Sequence, residues 1–188
     1  AGALSVIAMV VTAVASSGTG VSWSYQGATG PSHWGTLDPS FTACVDGTRQ
    51  SPINISTSKV VKSDLVNIVF NYHQGEALVF NNGHTVEAEP APGAADNGIY
   101  LGNKSYGLLQ VHFHAPSEHQ INDKNYPAEF HFVNKLDATH LAVVGVFITL
   151  GATDNAAWKP FLDAMAGATS SPEDTPIELD WSSLLPVK

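Results

Sequence analysis

The chain has 188 residues, 8 Lys and Arg against 17 Asp and Glu, a formal charge of -9, and only 13% charged against 44% hydrophobic residues. That length favours one domain with one buried core, and the acidic balance opposes the counterion release that drives binding to nucleic acid or anionic membrane surfaces. A single cysteine, Cys44, excludes an intrachain disulfide, a cysteine-rich zinc module and an iron–sulfur cluster, so any metal must be held by histidine and carboxylate.

Residues 1–15, AGALSVIAMVVTAVA, form an uncharged apolar run shorter than the ~20 residues of a spanning helix. They read as the remnant of a signal-peptide h-region, with Ala13-Val14-Ala15 as the small-x-small cleavage pattern and Ser16 to Gly20 as an exposed linker. The expected organisation is therefore 1–15 as a processed leader and 16–188 as one domain of an exported protein, whether extracellular, periplasmic or in an organelle lumen. In such an oxidising compartment an unpaired Cys44 points to a partner cysteine on another chain or on a missing segment.

Residues 21–52 are rich in Gly, Pro, Ser and Trp without helical period, as in an irregular segment wrapped on a core and pinned by Trp23, Tyr25 and Trp34. Period-2 alternation or β-branched enrichment then predicts strands over 66–72, 77–80, 84–89, 108–114, 128–133 and 141–149, separated by turn signals such as Asn81-Asn82-Gly83 and Pro92-Gly93. One helix is predicted over 156–166, with Asp154 or Asn155 as N-cap and Trp158, Phe161, Leu162 and Met165 at helical spacing on its apolar face.

The chemistry concentrates in Gln110-Val111-His112-Phe113-His114 and Ala128-Glu129-Phe130-His131-Phe132-Val133. Side chains alternate faces along a strand, so His112 and His114 project together while Val111 and Phe113 pack on the other side. His131 repeats the device with Glu129 and Val133 on its face. Three imidazoles from two neighbouring strands supply three quarters of a tetrahedral zinc shell and leave a fourth position open, which is the mark of a catalytic site. Zinc-bound imidazoles also need acceptors for their second ring nitrogen. Gln110 lies two residues before His112 and Glu129 two before His131, each on the face of its candidate ligand.

With these residues in place the sequence resembles an α-class carbonic anhydrase of secreted type. The matching runs are Gln50-Ser51-Pro52-Ile53-Asn54-Ile55, Asn81-Asn82-Gly83-His84, Gln110 to His114, Ser117-Glu118-His119, Ala128 to His131, Leu141 to Phe147 and Leu184-Leu185-Pro186, in family order across roughly residues 23–188. The resemblance implies a mainly β fold with a few short helices around a twisted, largely antiparallel central sheet, C-terminally truncated. It implies Zn2+ as cofactor and the reversible hydration of CO2 to bicarbonate and a proton by a zinc-bound hydroxide. His112, His114 and His131 match the zinc ligands, Gln110 and Glu129 the groups that orient the first and third of them. His84 matches the proton shuttle, and Val133 and Val143 the apolar wall beside the metal. His33, His73, His119 and His140 are read as structural or surface residues.

The family continues beyond the Leu-Leu-Pro element with a strand and a threonine that hydrogen-bonds the zinc hydroxide, and Glu118 matches the acid that receives the threonine's hydrogen bond. The expectation is a second chain or a missing C-terminal segment that completes the domain and pairs Cys44. A non-catalytic carbonic-anhydrase-like subunit of a larger complex is the alternative reading, discriminated by whether the zinc-loaded protein turns over CO2.

Overall fold

Long runs of alternating side chains favour extended strands that bury one face, and here such strands dominate. A computed structural model describes residues 6–11, 20–94, 96–170 and 176–186, giving only the backbone course for 6–11. The strands, in chain order, are β1 (Val6–Val11), β2 (Asn54–Ile55), β3 (Ile68–Asn71), β4 (Gln74–Asn81), β5 (Val86–Pro90), β6 (Gly98–Leu101), β7 (Lys104–His114), β8 (Gln120–Ile121), β9 (Lys124–Asn125), β10 (Ala128–Lys135), β11 (Leu141–Ile148) and β12 (Pro176–Asp180). Short α-helices α1 (Trp34–Leu37), α2 (Ala43–Asp46) and α3 (Lys159–Met165) complete the regular structure together with several 3-10 turns.

The main sheet runs β1-β11-β10-β7-β5-β4-β12, with β6 also on β7 and β3 on β6, and every pair in it is antiparallel. β7 is central because its 11 residues pair with β10 along one edge and with β6 and then β5 along the other. A small second sheet joins β2, β8 and β9. The fold expected from the sequence, mainly β with a largely antiparallel central sheet and short helices, is the one observed.

One face of the sheet makes the core. Val79, Ala88, Val111, Phe130, Phe132, Val144 and Val146 share it through the cross-strand register and are all buried. Trp158, Phe161 and Ala164 cover this face, with the Phe130 ring centroid 4.0 Å from that of Trp158 and 5.7 Å from that of Phe161. Segment 21–52 carries no strand but is less irregular than expected, since α1, α2 and three 3-10 turns lie within it. Its Trp23, Tyr25 and Trp34 rings meet edge to face at 5.4 to 5.8 Å, and the Trp34 indole N–H donates to the carbonyls of Ser24 and Thr29.

Several local expectations are corrected. The predicted helix begins as a 3-10 turn over Ala156–Trp158, with Asn155 rather than Asp154 accepting from the Ala157 N–H at 3.1 Å. Residues three apart then face the core, so Trp158, Phe161 and Ala164 are buried and Leu162 is left exposed. The strand expected over 84–89 starts at Val86, because the turn before it consumes His84 and Thr85. β6 and β12 were not predicted: the first is four residues long, and the second carries two acids and a proline. Within the apolar run 1–15, Val6–Val11 lies as an edge strand against β11. No helix among the described residues is long and apolar enough to cross a membrane.

Phe132 is fully buried on the core face between His131 and Val133. Phe132→Ala should lower unfolding free energy by about 3–5 kcal/mol, the usual cost of an aromatic-sized cavity, measured by urea denaturation. A loss below about 1 kcal/mol, the scale of a surface substitution, would contradict this packing.

Candidate metal centre

The opposite face of the same strands carries the polar residues. In the β7–β10 register His131 pairs with His112, Glu129 with His114 and Val133 with Gln110, so residues on two strands share one side of the sheet. The ring centroids of His112, His114 and His131 are 4.9, 5.3 and 4.8 Å apart, and one nitrogen of each lies within 4.8 Å of the others. His112 Nδ1 donates to Gln110 Oε1 at 2.7 Å, which leaves its Nε2 free. His131 Nε2 lies 3.1 Å from Glu129 Oε1, which leaves its Nδ1 for the cluster.

Electrostatics prepare the same atoms. Burial pushes His112 down to about 3, with the neighbouring His131 and His114 adding to the effect. Burial and then His131 push His114 down to about 4 against an opposing pull from Glu129. Both rings are therefore neutral near pH 7, as a metal ligand must be. Three converging imidazoles, two of them with the outer nitrogen beside an acceptor, form a donor set that fits zinc.

Glu129 has no solvent exposure, and three hydrogen-bond donors meet its carboxylate. Its Oε1 accepts from His119 Nδ1 at 2.6 Å and stands beside His131 Nε2, and its Oε2 accepts from the backbone N–H groups of Glu118 and His119 at 3.0 and 2.9 Å. Burial acts to raise this carboxyl, but the hydrogen bonds from His119 and His131 overcome it and hold Glu129 well below the ordinary carboxylate range. His119, Glu129 and His131 are also close enough to chelate an ion. Glu129 Oε1 is instead already taken by His119 Nδ1, and His131 Nε2, which meets no other partner, lies 3.1 Å from the same oxygen, so this triad orients His131.

His119, read from the sequence as structural or surface, is the structural case, with a partner that the sequence reading did not name. It is buried and belongs to the site. Its signal is the Ser117-Glu118-His119 run: the turn after β7 carries its backbone N–H groups onto Glu129, and Ser117 Oγ donates to the His119 carbonyl at 2.7 Å.

Glu118 approaches the cluster from this loop, with Oε2 at 3.3 Å from His114 Nε2 and 3.8 Å from His131 Nδ1. Burial raises its pKa, partly offset by His131. Val133 and Val143 are cross-strand partners on β10 and β11 and put an apolar pair on the same face. His84 stands apart from the ligands, exposed on the Asn81 to His84 turn, with its ring stacked on Trp23 at 3.7 Å between centroids and 10° between planes. Gly83 in that turn has φ +91°, a conformation in which a side chain is strained. A surface depression of about 450 Å³ lies beside the turn, lined by Phe80, Asn82 and Ser170 rather than by the histidines. Donor chemistry and not concavity therefore locates the site.

Comparison with known proteins agrees with this geometry. The family model for eukaryotic-type carbonic anhydrase matches residues 29–188. The chain belongs to that family. It is 38% identical over 154 residues to a carbonic anhydrase of Pectobacterium carotovorum, covering 81% of this chain and 61% of the relative. Identity to a carbonic anhydrase of Nostoc sp. is 35%, over 89% of this chain and 64% of the relative. The chain thus spans about three fifths of the length of these curated relatives. Among solved structures, the α-carbonic anhydrase of Thermovibrio ammonificans in complex with the inhibitor sulfanilamide superposes with a TM-score of 0.76 at 33% identity, covering 89% of this chain and 73% of that one.

The depressed histidines make stability depend on pH. The unfolded chain takes up protons below the ordinary value of 6.5, whereas folded His112 and His114 resist protonation until about 3 and 4. Their contribution is thus fully present above pH 6.5 and is lost as pH falls through that window. The urea midpoint of the metal-free protein should drop as pH falls from 7 to 4, and His112→Gln should flatten the drop. Equal slopes for both proteins would show that His112 is not held neutral.

Proposed function

We propose that the protein is a zinc enzyme that reversibly hydrates CO2 to bicarbonate and a proton. The observation that carries this reading is the convergence of His112, His114 and His131, two of them with the outer ring nitrogen already beside an acceptor. Zinc held by these three residues supplies a Lewis acid that brings the pKa of a coordinated water to about 7 and so provides a nucleophile at neutral pH.

The remaining steps belong to the chain itself. Gln110 and Glu129 fix the tautomers and planes of His112 and His131, and His119 holds Glu129. Val133 and Val143 offer CO2, which has no net dipole, an apolar surface on the ligand face. Glu118, the only carboxylate that reaches the open side of His114 and His131 among the described contacts, supplies a hydrogen-bond acceptor beside the metal position. His84 carries the released proton to bulk water, for which its exposed position is suited.

The same reading includes export to an oxidising compartment, where the exposed Cys44 would pair with a cysteine of another chain. The complete ligand set with its orienting acceptors speaks for an enzyme over a non-catalytic assembly module.

Stopped-flow CO2 hydration on the zinc-loaded protein should exceed that of His112→Ala, and a chelator should reduce the parent to the level of the variant. Parity between parent and His112→Ala would end the catalytic reading. His84→Ala should lose kcat by about 10²-fold in weak buffer, the lower end of what a positioned proton-transfer group contributes. Added imidazole should restore it while kcat/KM stays unchanged.

A further inference from the structure

Glu87 is a buried carboxylate on the ligand face to which neither the metal chemistry nor the core gives a role. It lies on β5 directly opposite His112 and is 8% exposed. Its Oε2 accepts from the side-chain amide of Asn82 at 3.2 Å. That amide is the hub of the turn before β5. Asn82 Oδ1 accepts from the backbone N–H groups of His84 and Thr85, both at 2.9 Å, and the Asn82 N–H donates to the Thr85 carbonyl at 3.0 Å. Oδ1 is thus committed to the turn, and Nδ2 is the end that Glu87 holds.

The turn has one further tie to the ligand strand. Thr85 Oγ1 donates to the carbonyl of Phe113, the residue between His112 and His114, at 2.8 Å. Gly83 is conformationally permissive and His84 and Asn82 are exposed, so beyond the His84–Trp23 stack and the hydrogen bond from the Asn81 N–H to the Thr169 carbonyl the turn has little to hold it. Its placement rests on these polar contacts. Glu87 is anchored in the sheet at the level of the first ligand, and through Asn82 it transmits that position to the backbone of His84.

We propose that Glu87 is a positioning residue for His84: by holding the Asn82 side-chain amide it sets the turn, and with it the imidazole, relative to the three-histidine cluster. The catalytic part of this inference rests on His84 being the proton carrier; the geometric part does not. The role is one of hydrogen-bond acceptance, so glutamine, whose carbonyl can accept from Asn82 in the same way, should serve in its place, and alanine should not.

The test compares Glu87→Ala, Glu87→Gln and Asn82→Ala in the zinc-loaded protein by two readouts. In weak buffer Glu87→Ala and Asn82→Ala should each lose kcat by about tenfold or more, as expected when a reacting group is misplaced by an ångström or less. Their kcat/KM should hold, added imidazole should restore kcat, and Glu87→Gln should stay close to the parent. In NMR spectra the His84 ring protons, shifted upfield by the stacked Trp23 ring, should move toward free-imidazole positions in the two alanine variants and stay in place in Glu87→Gln. Parallel loss of kcat and kcat/KM, or unmoved His84 resonances in Glu87→Ala, would overturn the proposal. Should His84→Ala itself leave kcat unchanged, the proton-carrier reading fails, and the NMR comparison still decides whether Glu87 sets the turn.

Discussion

The pairing of β10 against β7 is the constraint on which the rest of the molecule depends. With His131 opposite His112, three imidazoles meet on one face and Phe130, Phe132, Val111 and Phe113 meet on the other. Side-chain period along a strand is two, so a slip of one residue would send the histidines into the core and the aromatics to the site. Core burial and ligand geometry are therefore one specification. The register is secured on both edges of β10, because β11 pairs along its whole length and shifts Val143 beneath Val133. Only at Val133 and Asn134 does the β7 pairing jump, beyond the last ligand, where buried Asn134 takes up a hydrogen bond from the Tyr72 hydroxyl.

The second constraint is the charge buried behind His131. A carboxylate without solvent exposure is tolerable only when its lone pairs are taken, and removing one partner of such a group typically costs about 3–5 kcal/mol. Glu129 meets this condition through a loop and not through its own sheet: two backbone N–H groups and one imidazole come from residues 118 and 119. The requirement works in both directions. The charge fixes the loop after β7, and the loop then delivers Glu118 to the side of His114 and His131. The acid that orients His131 thereby also positions Glu118 beside the histidine cluster.

How much of this could be read in the sequence depended on the range of the interactions. His112, His114, His131, Gln110 and Glu129 were legible because strand alternation is local and each acceptor stands two residues from its ligand. β10, β11 and the part of β7 from residue 108 were legible for the same reason. His119 was not, since its partner is ten residues away across a turn whose shape no periodicity encodes. Glu87 was hidden differently. It sits in an alternating run beside Glu89 and looks like the solvated face of a strand, and only the pairing of β5 with β7 puts it opposite a ligand. β12 is written Pro-Ile-Glu-Leu-Asp, and its inward Ile177 and Leu179 are too few to outweigh the polar residues between them.

The two halves of the proposed reaction make opposite demands on the backbone, and the fold answers them in different places. Holding a metal needs ligands fixed closely in position by packing and by hydrogen bonds to their outer atoms, and the three proposed ligands lie on central strands that are paired along both edges. Handing a proton to water needs a group that reaches solvent, which a central strand cannot offer. His84 is accordingly carried on an exposed turn with a glycine at positive φ. Such a turn would wander if it depended on hydrophobic packing, because little of it is buried. It is tied instead by directional polar contacts to the two strands that flank the site: Thr85 to the backbone of β7 and Asn82 to the carboxylate on β5. Rigidity generated in the core thus reaches an exposed residue through hydrogen bonds, and the distance between metal centre and solvent becomes a property of the sheet.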